Sequence, residues 1–132
     1  MTTQSDALVT RLLDGGAIQA VMGSRWYPGR LPESPSQFPA GTYQRVAAPS
    51  QHAHDGALDL RERRYQLSIY DTDYSRGDEA RAVVVSELDG TRGVWGGVTT
   101  SCRVADDTED IDPEPGGLYR QRVDLYLTST AP

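Results

Sequence analysis

Two stretches of this chain alternate so strictly that they dictate a sheet. Between Glu62 and Asp71, the apolar Tyr65, Leu67 and Ile69 alternate with Arg64, Gln66, Ser68 and Tyr70, the two-residue period of a strand with one buried and one wet face. The pattern returns from Leu118 to Thr128. There Tyr119, Val123, Leu125 and Leu127 share one side, and Arg120, Arg122, Asp124 and Tyr126 share the other. Such strands need something apolar to lie on their inner face. Their outer face must meet either solvent or a partner. Leu58 and Leu60 fall on the opposite parity to Tyr65, so either a bulge intervenes or the strand begins later.

The cover for the apolar side reads as helix. Ser5 or Asp6 can cap a first helix with Leu8, Leu12 and Leu13 as its stripe, ended by Gly15-Gly16. A shorter turn or two follows, with Ile18, Val21 and Met22 facing inward and Gly23 stopping it. Arg25-Trp26-Tyr27 is a short extended piece closed by Pro28-Gly29. Residues 28–39 hold Pro32, Pro35 and Pro39 and read as a surface loop. Thr42 to Ala48 reads as a strand, and Pro49 to Gly56 as a polar loop carrying His52 and His54. Ser75 opens a further helix with Asp78 three residues on and Glu79 in its first turn. Ala80, Val83, Val84 and Leu88 form its buried stripe and Gly90 ends it. Val94 to Ala105 completes the strands. Strands that follow one another without helical crossovers predict an α+β fold: a mostly antiparallel sheet of about four strands with two helices packed on one face. The 132 residues support one domain, spanning 1–132, with one core.

Composition narrows the function. Hydrophobic residues make up 37% of the chain, which excludes global disorder. Runs such as Ala82-Val83-Val84-Val85 are too short to span a bilayer. The segment from Met1 to Asp6 lacks the basic start and apolar stretch of a signal peptide, so the protein is expected to stay soluble where it is made. Nineteen acidic residues oppose thirteen basic ones, for a net charge of −6. Such a chain is poorly suited to gripping a phosphate backbone, although it can surround DNA without sticking to it. Every basic residue is arginine. A GC-rich genome accounts for some of that bias, but the cations present are the type suited to ordered, bidentate contact with carboxylates.

No catalytic constellation emerges, and no cofactor is implied. Ser101 lacks a nucleophile elbow, and Gly93, Gly96 and Gly97 do not make a phosphate loop. Cys102 is the only cysteine, on the same apolar parity as Val94, Val98 and Val104, where a structural thiol fits better than a nucleophile. His52 and His54, beside Asp55, lie in one loop without a second ligand cluster, so no metal site is expected. Asp106, Asp107, Glu109, Asp110, Asp112 and Glu114 lack the glycine and terminal glutamate of an EF-hand. They read first as a solvated hairpin loop. The second reading is a channel lining repeated around a ring, where negative potential keeps DNA mobile. Acid–base catalysis comes last, because nothing nearby would raise a carboxyl pKa. Arg61, Arg63, Arg64, Arg120 and Arg122, with Tyr70 and Tyr126, are a candidate subunit interface: together on the polar sheet face they could pair with a neighbour's carboxylates. A solvated sheet face is the plainer account of each one singly.

The order of these pieces resembles the tail-completion (tail terminator) family of long-tailed phages, prophages and gene transfer agents. The matching pieces are Ala7–Leu13, then Gly23-Ser24-Arg25-Trp26-Tyr27-Pro28, then Pro39-Ala40-Gly41-Thr42-Tyr43-Gln44-Arg45-Val46. They continue with Tyr65-Gln66-Leu67-Ser68-Ile69-Tyr70-Asp71, Leu88-Asp89-Gly90 and Gly117-Leu118-Tyr119-Arg120-Gln121-Arg122-Val123-Asp124-Leu125. Ala40-Gly41-Thr42 departs from the bulkier residues expected ahead of Tyr43. The resemblance implies a non-enzymatic virion subunit, assembled in the host cytoplasm, that caps the tail tube as a ring of six. Its implied partners are its own copies, the tail tube protein and the head-closure or connector protein, with DNA passing through and no membrane. The residues alone leave two alternatives, a head-closure or adaptor protein and a small ligand-binding α+β domain.

Overall fold

The computed structural model describes residues 3–14, 16–32, 37–46, 61–109 and 117–130. In chain order these form α1 (Gln4–Leu13), α2 (Ala17–Met22), β1 (Trp26–Pro28), β2 (Ala40–Val46), β3 (Arg61–Asp71), α3 (Tyr74–Leu88), β4 (Thr91–Trp95), β5 (Val98–Glu109) and β6 (Tyr119–Ser129). The fold is α+β, but the sheet has six strands rather than about four and is covered by three helices rather than two. Its order is β1-β2-β3-β6-β5-β4. Every pairing is antiparallel except β1 with β2, which makes the sheet mixed.

The two extra strands have physical causes. Trp26–Pro28 is too short to show a period, and only pairing with β2 makes it a strand. The stretch expected as one strand from Val94 to Ala105 is a hairpin. It turns at Gly96 and Gly97, whose φ values of +59° and +86° are closed to most side chains. The turn places Val94 on the open face, 69% exposed, rather than in line with Cys102.

The core lies between the helices and one face of the sheet. Tyr65, Leu67 and Ile69 of β3 and Val123, Leu125 and Leu127 of β6 meet Ala7, Leu8 and Leu12 of α1, Ile18 and Met22 of α2, and Ala80, Val84 and Leu88 of α3. Each fully buried aliphatic side chain contributes about 1.5–3 kcal/mol. Leu13, expected in the α1 stripe, is instead 37% exposed. The caps also differ from expectation. Thr3 caps α1, accepting from the Asp6 N–H at 3.1 Å while the Asp6 carboxylate accepts from the Thr3 N–H at 3.0 Å. Asp73 caps α3, accepting from the N–H groups of Ser75 and Arg76. In both helices the capping residue stands just ahead of the one expected.

Polar side chains tie the helices to the sheet. Gln4 donates to the carbonyls of Arg61 (3.1 Å) and Leu127 (3.2 Å) and to Ser129 Oγ (2.9 Å), which pins α1 over the end of the β3–β6 pair. At the other end Arg76 grips the buried Asp71 with two bonds of 2.7 Å. Arg25 donates to the carbonyls of Pro39 (2.8 Å) and Val21 (3.2 Å), joining α2 to the entry of β2.

The departure at Ala40-Gly41-Thr42 is explained by β1. Gly41 pairs with Trp26, and a Cβ on Gly41 would stand 2.6 Å from Trp26 Cε3. The small residue lets the indole lie against the strand. Strand β2 accordingly begins at Ala40, two residues earlier than the alternation alone indicates.

Candidate assembly interface

Because cross-strand partners share a face, the register maps the side of the sheet away from the core. Glu62, Arg64, Gln66, Ser68 and Tyr70 of β3 stand beside Thr128, Tyr126, Asp124, Arg122 and Arg120 of β6. Ser101, Arg103, Asp106 and Thr108 of β5 continue the same rows, and Arg92 of β4 stands beside Ser101. No side chain of this set belongs to the core cluster.

A bulge in β5 decides which acids join them. The register shifts between Val104 and Asp106, so that odd-numbered residues face outward before it and even-numbered ones after it. Asp106 therefore reaches the open face, directly opposite Asp124. Asp107 turns to the helix side, where Arg81 donates to it at 2.6 Å while also bonding Asp78.

The rows carry charge in stripes. Arg64 pairs with Asp124, which also accepts from Gln66 at 3.2 Å. The hydrogen bond that Arg64 donates to Asp124, followed by the charge of Asp124, holds the Arg64 pKa above its ordinary value. In the next row the Arg103 guanidinium lies 4.4 Å above the centre of the Tyr126 ring, a cation–π contact that holds both side chains. Arg120 and Arg122 lie further along β6. This face thus holds Arg64, Arg92, Arg103, Arg120 and Arg122 against Glu62, Asp106 and Asp124. It is the basic face of an acidic chain.

The structure brings together Arg64, Tyr70, Arg120, Arg122 and Tyr126 from the expected set. Arg61 and Arg63 do not join them: they pair with Ser129 and Leu127 and so stand on the helix-side parity, since consecutive strand residues alternate faces. Asp106, Asp107 and Glu109 belong to β5 and not to a loop, because pairing with β6 runs as far as Glu109↔Gln121. Asp110, Asp112 and Glu114, like His52, His54 and Asp55, lie outside the described residues. Arg92 and Arg103 were not in the expected set. The β4–β5 turn, visible as Gly96-Gly97, is the signal that places them on the open face. Cys102 is 4% exposed, and its thiol pKa is pushed up to about 12, chiefly by burial and secondarily by Asp89. That is the state of a packing residue rather than a nucleophile.

Comparison with known proteins adds the decisive observation. The family model described as tail completion protein gp17 matches residues 6–127. The chain belongs to this family. A tail completion protein is a structural component of the phage virion, so this chain is a structural protein of the virion tail. A solved structure is similar over the whole tail completion fold: a chain of the virion of a native gene transfer agent particle, at a TM-score of 0.70 and 14% identity, with 96% of this chain and 94% of that chain covered. At that identity the likeness is one of fold. No curated protein matches the sequence.

Proposed function

We propose that this tail completion protein is the tail terminator, one domain whose copies form a ring, six in number as in the family it resembles. The ring caps the last tail-tube layer, stops polymerisation, offers the head-closure complex its docking surface and lets DNA pass without sequence-specific contact. The observation that carries the reading is the open sheet face. A fold with its core complete on one side keeps a broad basic face ready for partners on the other. In a cyclic ring one patch of each subunit meets a different patch of the next, and an acidic chain with one basic face has the complementary surfaces this needs.

Deleting the gene from its phage or gene-transfer cluster and measuring tails by electron microscopy tests the proposal. Overlong tubes detached from filled heads are the expected result. Tails of normal length that fail to join heads would move the protein to the head-closure or adaptor layer, and normal infectious particles would overturn the structural role altogether.

A further inference from the structure

Gln121 of β6 is a buried polar residue that the fold leaves unsatisfied. It is 1% exposed and pairs with Ile69 on the helix side of the sheet. Among the described residues neither its Oε1 nor its Nε2 has a hydrogen-bond partner. Gly77 of α3 lies over its stem, where a Cβ would stand 4.0 Å from Gln121 Cγ. Together with Arg81, Asp107 and Thr108, Gln121 lines a hollow of about 290 Å³. Leaving both ends of a buried carboxamide unmet is destabilising. Packing does not require an amide there, because Val123, Leu125 and Leu127 occupy the same side of β6 with apolar groups.

The hollow lies beside a gap in the sheet margin. Strand β4 pairs with β5 only as far as Thr91↔Cys102, whereas β5 follows β6 on to Glu109↔Gln121. Past Cys102 the Val104 N–H is taken by Asp89 Oδ1 at 2.9 Å. From Ala105 to Thr108 the residues are exposed, and among the described residues no strand lies along their outer edge. Such an edge takes an added strand through main-chain hydrogen bonds, and the side chains of that strand alternate between the two faces of the sheet. A side chain on the helix face then stands next to Asp107, at the mouth of the hollow. A carboxamide in that place can meet both ends of Gln121, N–H to oxygen and oxygen to N–H. A carboxylate is disfavoured there, because Asp78 and Asp107 already outnumber Arg81, which bonds them both.

Resting on the ring reading above, we infer that this gap receives an extended segment of a different virion protein. The segment adds to β5 as a strand and sets an Asn or Gln side chain against Gln121. A second copy offers no suitable strand among its described residues. Strands β3 and β6 are flanked on both sides, and β2 is recessed behind β1. The outer edge of β1 is closed to addition. Trp26 N–H donates to the Ser24 carbonyl and Arg30 N–H to that of Pro28, both at 2.9 Å, and Pro28 has no N–H of its own. Strand β4 belongs to the same margin as the gap. Pairing it there joins two like margins, the arrangement of a two-fold dimer and not of a ring.

The test is Gln121→Leu, read in two ways. Removing an unmet carboxamide is expected to raise the melting temperature of the purified protein by about 3–8 °C. The same variant, complementing the deletion strain, is expected to give about tenfold fewer completed particles or worse, because the partner's amide is left unpaired. A lower melting temperature overturns the inference, since water or the chain itself then already satisfies Gln121. Normal particle yield overturns it as well. Should Gln121→Leu fail to fold, hydrogen exchange of the parent protein decides. The amides of Ala105 to Thr108 that point away from β6 are expected to exchange about tenfold or more slowly in isolated tails than in the purified protein. Equal exchange overturns the contact. Slowing that appears when the purified protein assembles alone overturns it too, because a second copy then fills the gap. A deletion that leaves tails normal sinks the ring reading itself, whereas overlong tails together with a fully active Gln121→Leu sink only this contact.

Discussion

At the scale of single residues, small differences in size and polarity decide what this sheet can hold. Gly41 lies against the Trp26 indole and also faces Met22 Cε. Gly41→Ala forces the indole or the strand to move and is expected to cost about 1–3 kcal/mol as overpacking, readable as a lower urea midpoint at unchanged slope. Cys102 gives a prediction of opposite character. Its folded-state pKa of about 12 lies above the ordinary value of 9.0, so the folded protein holds this proton more tightly than the unfolded chain does. Stability linked to the thiol is thus intact below pH 9 and declines as pH rises from 9 toward 12. Cys102→Ala is expected to flatten that part of the stability–pH curve in equilibrium unfolding, and Ellman's reagent should titrate the native thiol only after denaturant is added.

At the scale of elements, each helix is set by its cap and each strand by its neighbours. The reciprocal bonds between Thr3 and Asp6 anchor the start of α1, and Thr3→Ala is expected to destabilise the fold by about 1 kcal/mol. The Asp6 pKa is lowered from 3.8, first by its backbone bond with Thr3 and then by the Thr3 side chain. Its contribution is therefore present above pH 3.8 and fades as acid brings the pH down through the lower folded value. Circular dichroism of Thr3→Ala against the parent should show the two acid-unfolding curves converging below that point. Helices α1 and α3, and the long strands β3 and β6, were legible in the sequence because periodicity over ten or more residues leaves one arrangement. Strand β1 was not, because three residues cannot show a period and its ladder depends on β2. The β4–β5 hairpin was masked by valines at even spacing across the turn, and the β5 bulge left no compositional mark. That bulge is why the faces of Asp106 and Asp107 do not follow from the spacing of the sequence.

At the scale of the whole molecule, the helices cover one side of the sheet and leave the other open. The parity of β3 and β6 foretold that open face and placed Arg64, Arg120 and Arg122 on it. It could not reveal Arg92 and Arg103, which reach the face only through the order β6-β5-β4. Reversing charge at Arg120 and Arg122 together is expected to weaken ring closure and reduce head-joined tails, scored by electron microscopy of a complemented deletion. Unchanged assembly in that double variant would remove these two arginines from the subunit boundary. The outermost strands carry one more useful property. Trp26 on β1 and Trp95 on β4 are the only tryptophans in the chain. They are 7% and 6% exposed, and they sit on opposite margins of the sheet. Each margin therefore has its own fluorophore, shielded from water until that margin opens. In Trp26→Phe or Trp95→Phe the remaining emission reports on one side alone, so a red shift on binding, assembly or heating shows which flank of the sheet has let water in.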